Sequence, residues 1–494
     1  MNTFDEVVRD IQMKEGDQSQ VLKSLGKLAI TSIQKIKILQ TILDEQFDLN
    51  PDLSDPIPRV VWKNCVEVVL SLVDVLEQNP DLVMSINIDE VEDAKENFVW
   101  GNLCEYISRI SYEFYASLKH IDISSLEYDE RLEDEALLFV VSRRILNYLE
   151  ERRDDKGVAL VAYILLYLVH YKRQDEYDAL WNRSENLEYE YYGIYEYRVQ
   201  TRKMFLRHSI RSLIERLYTP ILRYEDGEKK KCASLCNIYH LALTENFEES
   251  SKLMSRFLDE EDVTGCKVLK DTKIDAYTKL MRILNQIYFN RAIVQLGICA
   301  FKVGRIVEAY SYLSGLNGGG KVKRLLSQHI SHLHFQDKTQ DLAHPPKHIP
   351  YHMHIDEDVL EAVYFISAML LEVPNMAAKG EVISQRFRRL LQTSQCKTCT
   401  SPELIVAATS ALIEGDHETC YANIQSLKIW KKFRDEDNVL MMLHGKINEV
   451  GLMSLPGKKE LRRHIRFSCP RCNYSFLRED EFNKHLPLCE LNNR

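Results

Sequence analysis

The sequence predicts an all-α, helical-repeat solenoid that ends in a small ββα zinc finger. Three observations carry that reading. Proline and glycine are scarce for 494 residues, at 13 and 18, which disfavours a many-turned β fold. Apolar residues recur at three- and four-residue spacing along most of the chain. Two distant segments share one hairpin template built on small residues.

Taken in order, the first strong helical pattern is PRVVWKNCVEVVLSLVDVLE, residues 58 to 77. Pro58 suits a first helical turn and Asn79-Pro80 supplies a stop. Residues 132 to 151 and 158 to 171 repeat the theme, with a break at Asp154 to Gly157. The apolar run Val158 to Val169 is too short to span a bilayer and reads as a buried helix, so no membrane association is expected. A Tyr-rich acidic stretch follows, Tyr189 to Tyr197. Its charges are Glu, which repel phosphate, so helix packing is favoured over base stacking there.

The two matching segments are LGICAFKVGRIVEAYSYL (296 to 313) and AATSALIEGDHETCYANI (407 to 424). Gly297, Ala300, Gly304, Ala309 and Leu313 fall on Ala408, Ala411, Gly415, Cys420 and Ile424 at constant offset. Small residues let two antiparallel helices approach closely, and the central Gly turns the chain at positive φ. This is tetratricopeptide-like spacing. A looser copy spans Leu235 to Met254, with its turn at Thr244-Glu245-Asn246. A single hairpin cannot bury both faces, so such units stack into a solenoid that presents its outer surface to partners. Gly318-Gly319-Gly320, then Pro345, Pro346 and Pro350, separate the two clearer hairpins. The expected domains are a helical domain over 1–210, a helical-repeat domain over 211–455, and a basic linker with the finger over 456–494.

The finger rests on FSCPRCNYSFLREDEFNKHLPLC. Cys469-x2-Cys472, twelve residues, then His485-x3-Cys489 is a two-Cys, His, Cys pattern. Those spacings bring a knuckle and a helix together around one tetrahedral zinc ion, and Phe476 and Phe482 fall where a ββα finger keeps its small core. So little core predicts folding only with metal. Arg471, Arg478 and the run Lys458, Lys459, Arg462, Arg463, Arg466 offset the thiolate charge and could touch RNA phosphates non-specifically. The other constellations are weaker. Cys396-x2-Cys399 invites a second zinc site with His417 and Cys420, but Cys420 occupies a small-residue hairpin position. Gly315-x4-Gly320-Lys321 imitates a phosphate loop, yet Val322 stands where Ser or Thr must hold magnesium. The histidines between His329 and His354 fit no standard zinc spacing, and His352 and His354 are expected in an extended segment docked on helices. No nucleophile-and-base motif is legible, so a non-enzyme is expected.

Net charge is −10, which argues against a general nucleic-acid coat and leaves only local RNA contact. The opening MNTFDEVVRD has neither a basic n-region nor an apolar core, so no signal peptide is expected. Most of the 12 cysteines stand singly in helical stretches, among them Cys65, Cys104, Cys236, Cys299 and Cys420. They read as buried free thiols of a reducing compartment, so a cytoplasmic location is expected.

Several runs resemble the C subunit of eukaryotic translation initiation factor 3. They are NRAIVQLGICAFKVGRIVEA (290 to 309), CNIYHLAL (236 to 243) and IPYHMHIDEDVLEAVYFISAMLLEVPNMAA (349 to 378), with weaker support from VVWKNCVEVVLSLVDVLEQNPDL and LEDEALLFVVSRRILNYLEER. The resemblance covers roughly residues 1 to 455. It implies a helical-repeat region leading into a proteasome–signalosome–initiation-factor (PCI) domain. It also implies a scaffold that binds other initiation-factor subunits and the small ribosomal subunit. Two features depart from the family pattern. That pattern has a long acidic, Ser-rich N-terminal tail, whereas this sequence opens directly in helix. It also closes the PCI domain with a winged helix, whereas after Val450 this sequence turns basic and then Cys-rich. An atypical zinc finger is therefore expected in place of the winged helix. Another PCI-type complex scaffold, or a nucleic-acid-binding zinc-finger protein, is the alternative reading.

Overall fold

The computed structural model describes residues 31–48, 56–85, 97–201, 209–264, 276–315, 322–328, 349–379, 384–393, 401–454, 467–468 and 475–476. The fold is mostly helical, as expected. It divides into two compact units, Met1–Ala233 with Ile330–His352, and Ser234–His329 with Met353–Arg494.

The first unit contains α1 (Ser32–Asp48), α2 (Arg59–Gln78), α3 (Leu103–His120), α4 (Leu126–Glu133), α5 (Glu135–Arg152), α6 (Asp155–Val169), α7 (Gln174–Thr201) and α8 (Ile210–Tyr224). Two short parallel strands, β1 (Val83–Ser85) and β2 (Phe98–Trp100), pair in register Val83↔Phe98 to Ser85↔Trp100. The apolar stripe of α2 is buried from Trp62 to Leu76. Pro58 sits just ahead of that helix and Asn79 just after it. The helical run expected over 132–151 is α5, which starts three residues later, at Glu135, with α4 ending just before it at Glu133. Asp134 stands between α4 and α5, and Arg59, Lys63 and Arg131 all draw on its carboxylate. Helix α6 packs against α5 and α8 and buries Val158 to Val169 almost throughout. The Tyr-rich stretch lies within α7.

Next in sequence is α9 (Gly227–Leu243). The second unit continues with α10 (Phe247–Thr264), α11 (Ala276–Lys302), α12 (Ile306–Ser314), the short α13 (Val322–Leu325), α14 (Glu357–Lys379), α15 (Gln385–Thr393), α16 (Ser401–Glu414), α17 (His417–Gln425) and α18 (Glu436–Ser454). Helices α12 and α16 pack on α14, as does α18, so α14 is the spine of this unit. The segment Tyr351–Met376 is long and apolar enough to cross a bilayer, but 78% of its most apolar window is buried inside the protein. Core packing therefore accounts for its composition. A last antiparallel pair, β3 (Phe467–Ser468) and β4 (Ser475–Phe476), joins Phe467 to Phe476 and Ser468 to Ser475.

One turn recurs between consecutive helices. At Gly304-Arg305 the amide of Arg305 reaches Ala300 O at 2.8 Å and that of Gly304 reaches Phe301 O at 3.0 Å. The same two bonds close Gly415-Asp416 on Ala411 and Leu412, Glu245-Asn246 on Leu241 and Ala242, and Arg153-Asp154 on Leu149 and Glu150. Each satisfies carbonyls that the ending helix leaves open, with the first residue of the pair at positive φ. The next residue starts a new helix at once. Asp416 and Asp154 cap it through their side chains, onto the amides of Thr419 and Gly157 at 3.0 Å each. The template read in the sequence at 296–313, 407–424 and 235–254 is thus one physical device, and the α5–α6 turn is a fourth example.

Two of these turns place an ordinary residue in the left-handed region, Arg153 at φ 60° and Glu245 at φ 64°. A Cβ there costs about 1–2 kcal/mol. Arg153→Gly removes that cost at an exposed site, offset by glycine's greater chain entropy of about 0.5–1 kcal/mol. The variant is expected to raise the urea midpoint, with a gain of up to about 1 kcal/mol. An unchanged or lowered midpoint would show that the turn is not strained.

Candidate metal centre and docking platform

Cys469, Cys472, His485 and Cys489 lie outside the described residues. The backbone on either side of the first two is described: β3 ends at Ser468, β4 begins at Ser475, and the two strands pair. Among the described residues, no group of His, Cys, Asp and Glu is arranged to hold a metal ion. Cys396 and Cys399 also lie outside them, while Cys420 is fully buried inside the α16–α17 hairpin. The phosphate-loop imitation falls mostly outside the described residues as well, with Gly315 ending α12.

The described cysteines, Cys65, Cys104, Cys232, Cys236, Cys299 and Cys420, are all buried and none is in a disulfide. Burial pushes Cys65, Cys104, Cys299 and Cys420 up to about 12, so the reactive thiolate is almost absent at neutral pH. Native protein treated with iodoacetamide at pH 8 is expected to leave these four unmodified, and unfolding in urea should expose them to complete labelling. Rapid native labelling of Cys420, read by peptide mass spectrometry, would contradict its place in the hairpin core.

Close helix approach is what builds the platform. A Cβ on Gly297 would stand 2.7 Å from Leu313 Cγ and Cδ2, so only glycine lets α11 meet α12 there. Ala300, Ala309, Leu313, Ala408, Cys420 and Ile424 are fully buried at the matching positions. Gly304 turns at φ +78° beside Met442 of α18.

Buried charge then fastens each unit. In the first, the Arg131 guanidinium lies over the Trp62 ring at 4.2 Å and the Phe114 ring at 5.0 Å, and it donates to Ser117 Oγ at 2.7 Å. Burial pulls its pKa down to about 10, with the Asp134 carboxylate opposing that drop. Arg143 pairs with Glu188 at 2.5 Å and lies over Trp181, and Arg144 reaches both Asp74 and Glu77 at 2.8 Å. His352 sits in the short 3-10 turn Tyr351–Met353. Its Nδ1 is 3.0 Å from the Tyr128 hydroxyl and its Nε2 is 3.2 Å from the Tyr171 hydroxyl. Tyr171 in turn donates to Glu135, which also accepts from Lys172 at 2.7 Å. One set of donors satisfies this chain: Tyr128 O–H to Nδ1, Nε2–H to Tyr171 O, and Tyr171 O–H to Glu135. Burial pushes Tyr128 up to about 12 and Tyr171 further above its ordinary value, so both remain protonated donors. The set works as a clasp for the segment rather than leaving a free base. In the second unit Arg291 donates to Met353 O and to Gln328 Oε1, while Gln328 holds both Ile355 N and Ile355 O.

Sequence reasoning missed these fastenings. Their partners lie far along the chain, as with Arg144 and Asp74 or Tyr128 and His352, so no local spacing marks them.

Stacked α-hairpins with a recurring left-handed turn, fastened by buried ion pairs, define a helical-repeat protein. Residues 3–382 match the family described as the N-terminus of eukaryotic translation initiation factor 3 subunit 8. Relatives named as the C subunit of eukaryotic translation initiation factor 3 are similar over most of the chain. The protein of Neosartorya fischeri is 30% identical over 471 residues, covering 88% of this chain and 52% of the relative. That of Schizosaccharomyces pombe is 29% identical over 469 residues, covering 88% and 48%. That of Phaeosphaeria nodorum is 28% identical over 484 residues, covering 90% and 54%. The chain belongs to the C-subunit family of initiation factor 3, and it spans about half the length of the curated relatives it matches.

Proposed function

We propose that this chain is a non-catalytic scaffold in translation initiation, working in the cytoplasm. It holds other subunits of initiation factor 3 and the small ribosomal subunit by surface complementarity. The observation that carries this reading is the family match across residues 3–382, on a chain whose described part is stacked helical hairpins. Placement is the mechanism: rigid hairpins, spaced by Gly297, Gly304 and Gly415, hold an outer surface at fixed geometry. The proposed organisation is a helical domain over 1–210, a PCI-like repeat domain over 211–455 and a basic linker with the finger over 456–494. Affinity purification of the tagged full chain, with mass spectrometry of what accompanies it, tests the proposal. Initiation factor 3 subunits and small-subunit ribosomal proteins should be enriched over a mock purification. Recovery of proteasome-lid or signalosome subunits instead would redirect the assignment.

The tail is proposed as a structural zinc finger standing where the family pattern has a winged helix, with Cys469, Cys472, His485 and Cys489 as ligands. Its support is the spacing, the donor chemistry and the strand pair on either side of Cys469 and Cys472. The basic residues from Lys458 to Arg466 would give it salt-sensitive RNA contact. Purified full chain is expected to carry close to one zinc per molecule by atomic emission, and Cys472→Ser should lose it. A content near zero would remove the finger, and a content near two would reinstate the Cys396–Cys399 site.

A further inference from the structure

The backbone at Tyr351 and His352 is docked within the first unit by a single hydroxyl. Tyr128 Oη accepts from the His352 amide at 3.1 Å, and the Tyr351 amide reaches the same oxygen. Two amides occupy both lone pairs of that oxygen, so its O–H must find an acceptor elsewhere. The acceptor it meets is His352 Nδ1, 3.0 Å away. Nδ1 is therefore bare, and the ring proton stands on Nε2, which donates to the Tyr171 hydroxyl at 3.2 Å. A second proton on the ring has no place in this arrangement. It would set an N–H against the Tyr128 O–H, and Tyr128 could accept from it only by dropping one of the two amides that hold the turn.

The neighbouring charges do not relieve that conflict. From α5, Glu135 accepts from Tyr171 on one oxygen and from Lys172 on the other, at 2.7 Å. Its attraction for an imidazolium is thus matched by the Lys172 ammonium. His170 stands edge-on to Tyr171 with ring centroids 5.5 Å apart, and on acidification it can only add positive charge. Tyr115 of α3 and Tyr167 of α6 lie near Tyr171 as uncharged phenols. The Nε2 side keeps the same bond in both states, so the Nδ1 side decides. His352 is only half-buried, which gives solvent protons access to it. We propose that His352 makes this turn a proton-operated latch, closed while the ring is neutral and opened when Nδ1 takes a proton. A freed ring binds a proton with the ordinary histidine pKa of about 6.5, and the docked ring refuses it. Docking is therefore at full strength above that pH and weakens as pH falls below it. The opening constant should rise about ten-fold between pH 7.5 and 5.5.

Hydrogen exchange of the full chain tests the latch, read by mass spectrometry on overlapping peptides that isolate the Tyr351 and His352 amides and corrected for intrinsic rate. Wild-type protection of these amides should fall about ten-fold from pH 7.5 to 5.5, while peptides from the buried α6 keep theirs. His352→Gln offers an acceptor to Tyr128 and a donor to Tyr171 but does not titrate, so its protection should be equal at the two pH values. Tyr128→Phe removes the shared acceptor, and the turn should be open at both. The thermal midpoint of each variant at pH 7.5 is the folding control, and wild type against His352→Gln decides the matter even where Tyr128→Phe fails to fold. Wild-type protection that does not change with pH would overturn the proposal. So would a loss in His352→Gln equal to that of wild type, which would pass the titration to Glu135 or His170. No initiation-factor subunit enters the measurement, so the latch and the scaffold reading fail separately.

Discussion

Arg131→Ala is expected to destabilise the first unit by about 3–5 kcal/mol, the range for truncating one member of a buried charge network. Arg131 is almost wholly enclosed, stacked on Trp62 and Phe114 and bonded to Ser117. Truncation empties the space over two aromatic rings and removes their cation. Asp134 is not left stranded, because Arg59 at 2.7 Å and Lys63 at 3.0 Å still hold it. The larger part of the loss is therefore packing, and Arg131→Met, which refills the volume, should cost less than about half as much. Urea unfolding monitored by tryptophan emission measures both, since Trp62 reports on the site itself. Equal losses for Ala and Met would mean that charge, not packing, dominates there.

Gly297→Val should cost about 3 kcal/mol in the second unit. The new Cβ would stand 2.7 Å from two Leu313 atoms and 3.4 Å from Tyr312 Cβ, so α11 and α12 must separate or Leu313 must leave its rotamer. The paired variant distinguishes this from a loss of backbone freedom. Leu313→Ala alone opens a cavity and costs about 2–5 kcal/mol. Combined with Gly297→Val it gives the valine room, so the double variant should be more stable than the sum predicts by about 1–2 kcal/mol. Strict additivity would show that the two helices do not meet as closely as described.

Legibility followed the range of the interactions. Helix α2 could be read because its apolar spacing is local, and the turns at Gly304 and Gly415 because glycine marks positive φ. The identical turn at Arg153 was legible only as a break, since its left-handed residue is an arginine and gives no compositional signal. Glu245 left only a looser copy for the same reason. Helix α5 could be read as the run 132–151, but the one-residue break at Asp134 could not, and the ion pairs of Asp134 with Arg59 and Lys63 lie far away in sequence. His352 was placed correctly against helices, though in a short 3-10 turn rather than an extended segment, and its partners Tyr128 and Tyr171 were invisible until the chain was folded. The proposed zinc ligands are the reverse case: Cys469, Cys472, His485 and Cys489 are read from spacing alone, and all four lie outside the described residues.

Assembly is the central claim, and density-gradient sedimentation of a cell extract tests it most directly. The tagged full chain should sediment in heavy fractions with initiation factor 3 subunits, part of it running with small ribosomal subunits. A chain that sediments at the size of one free molecule, while those subunits run together in heavy fractions without it, would contradict the scaffold account.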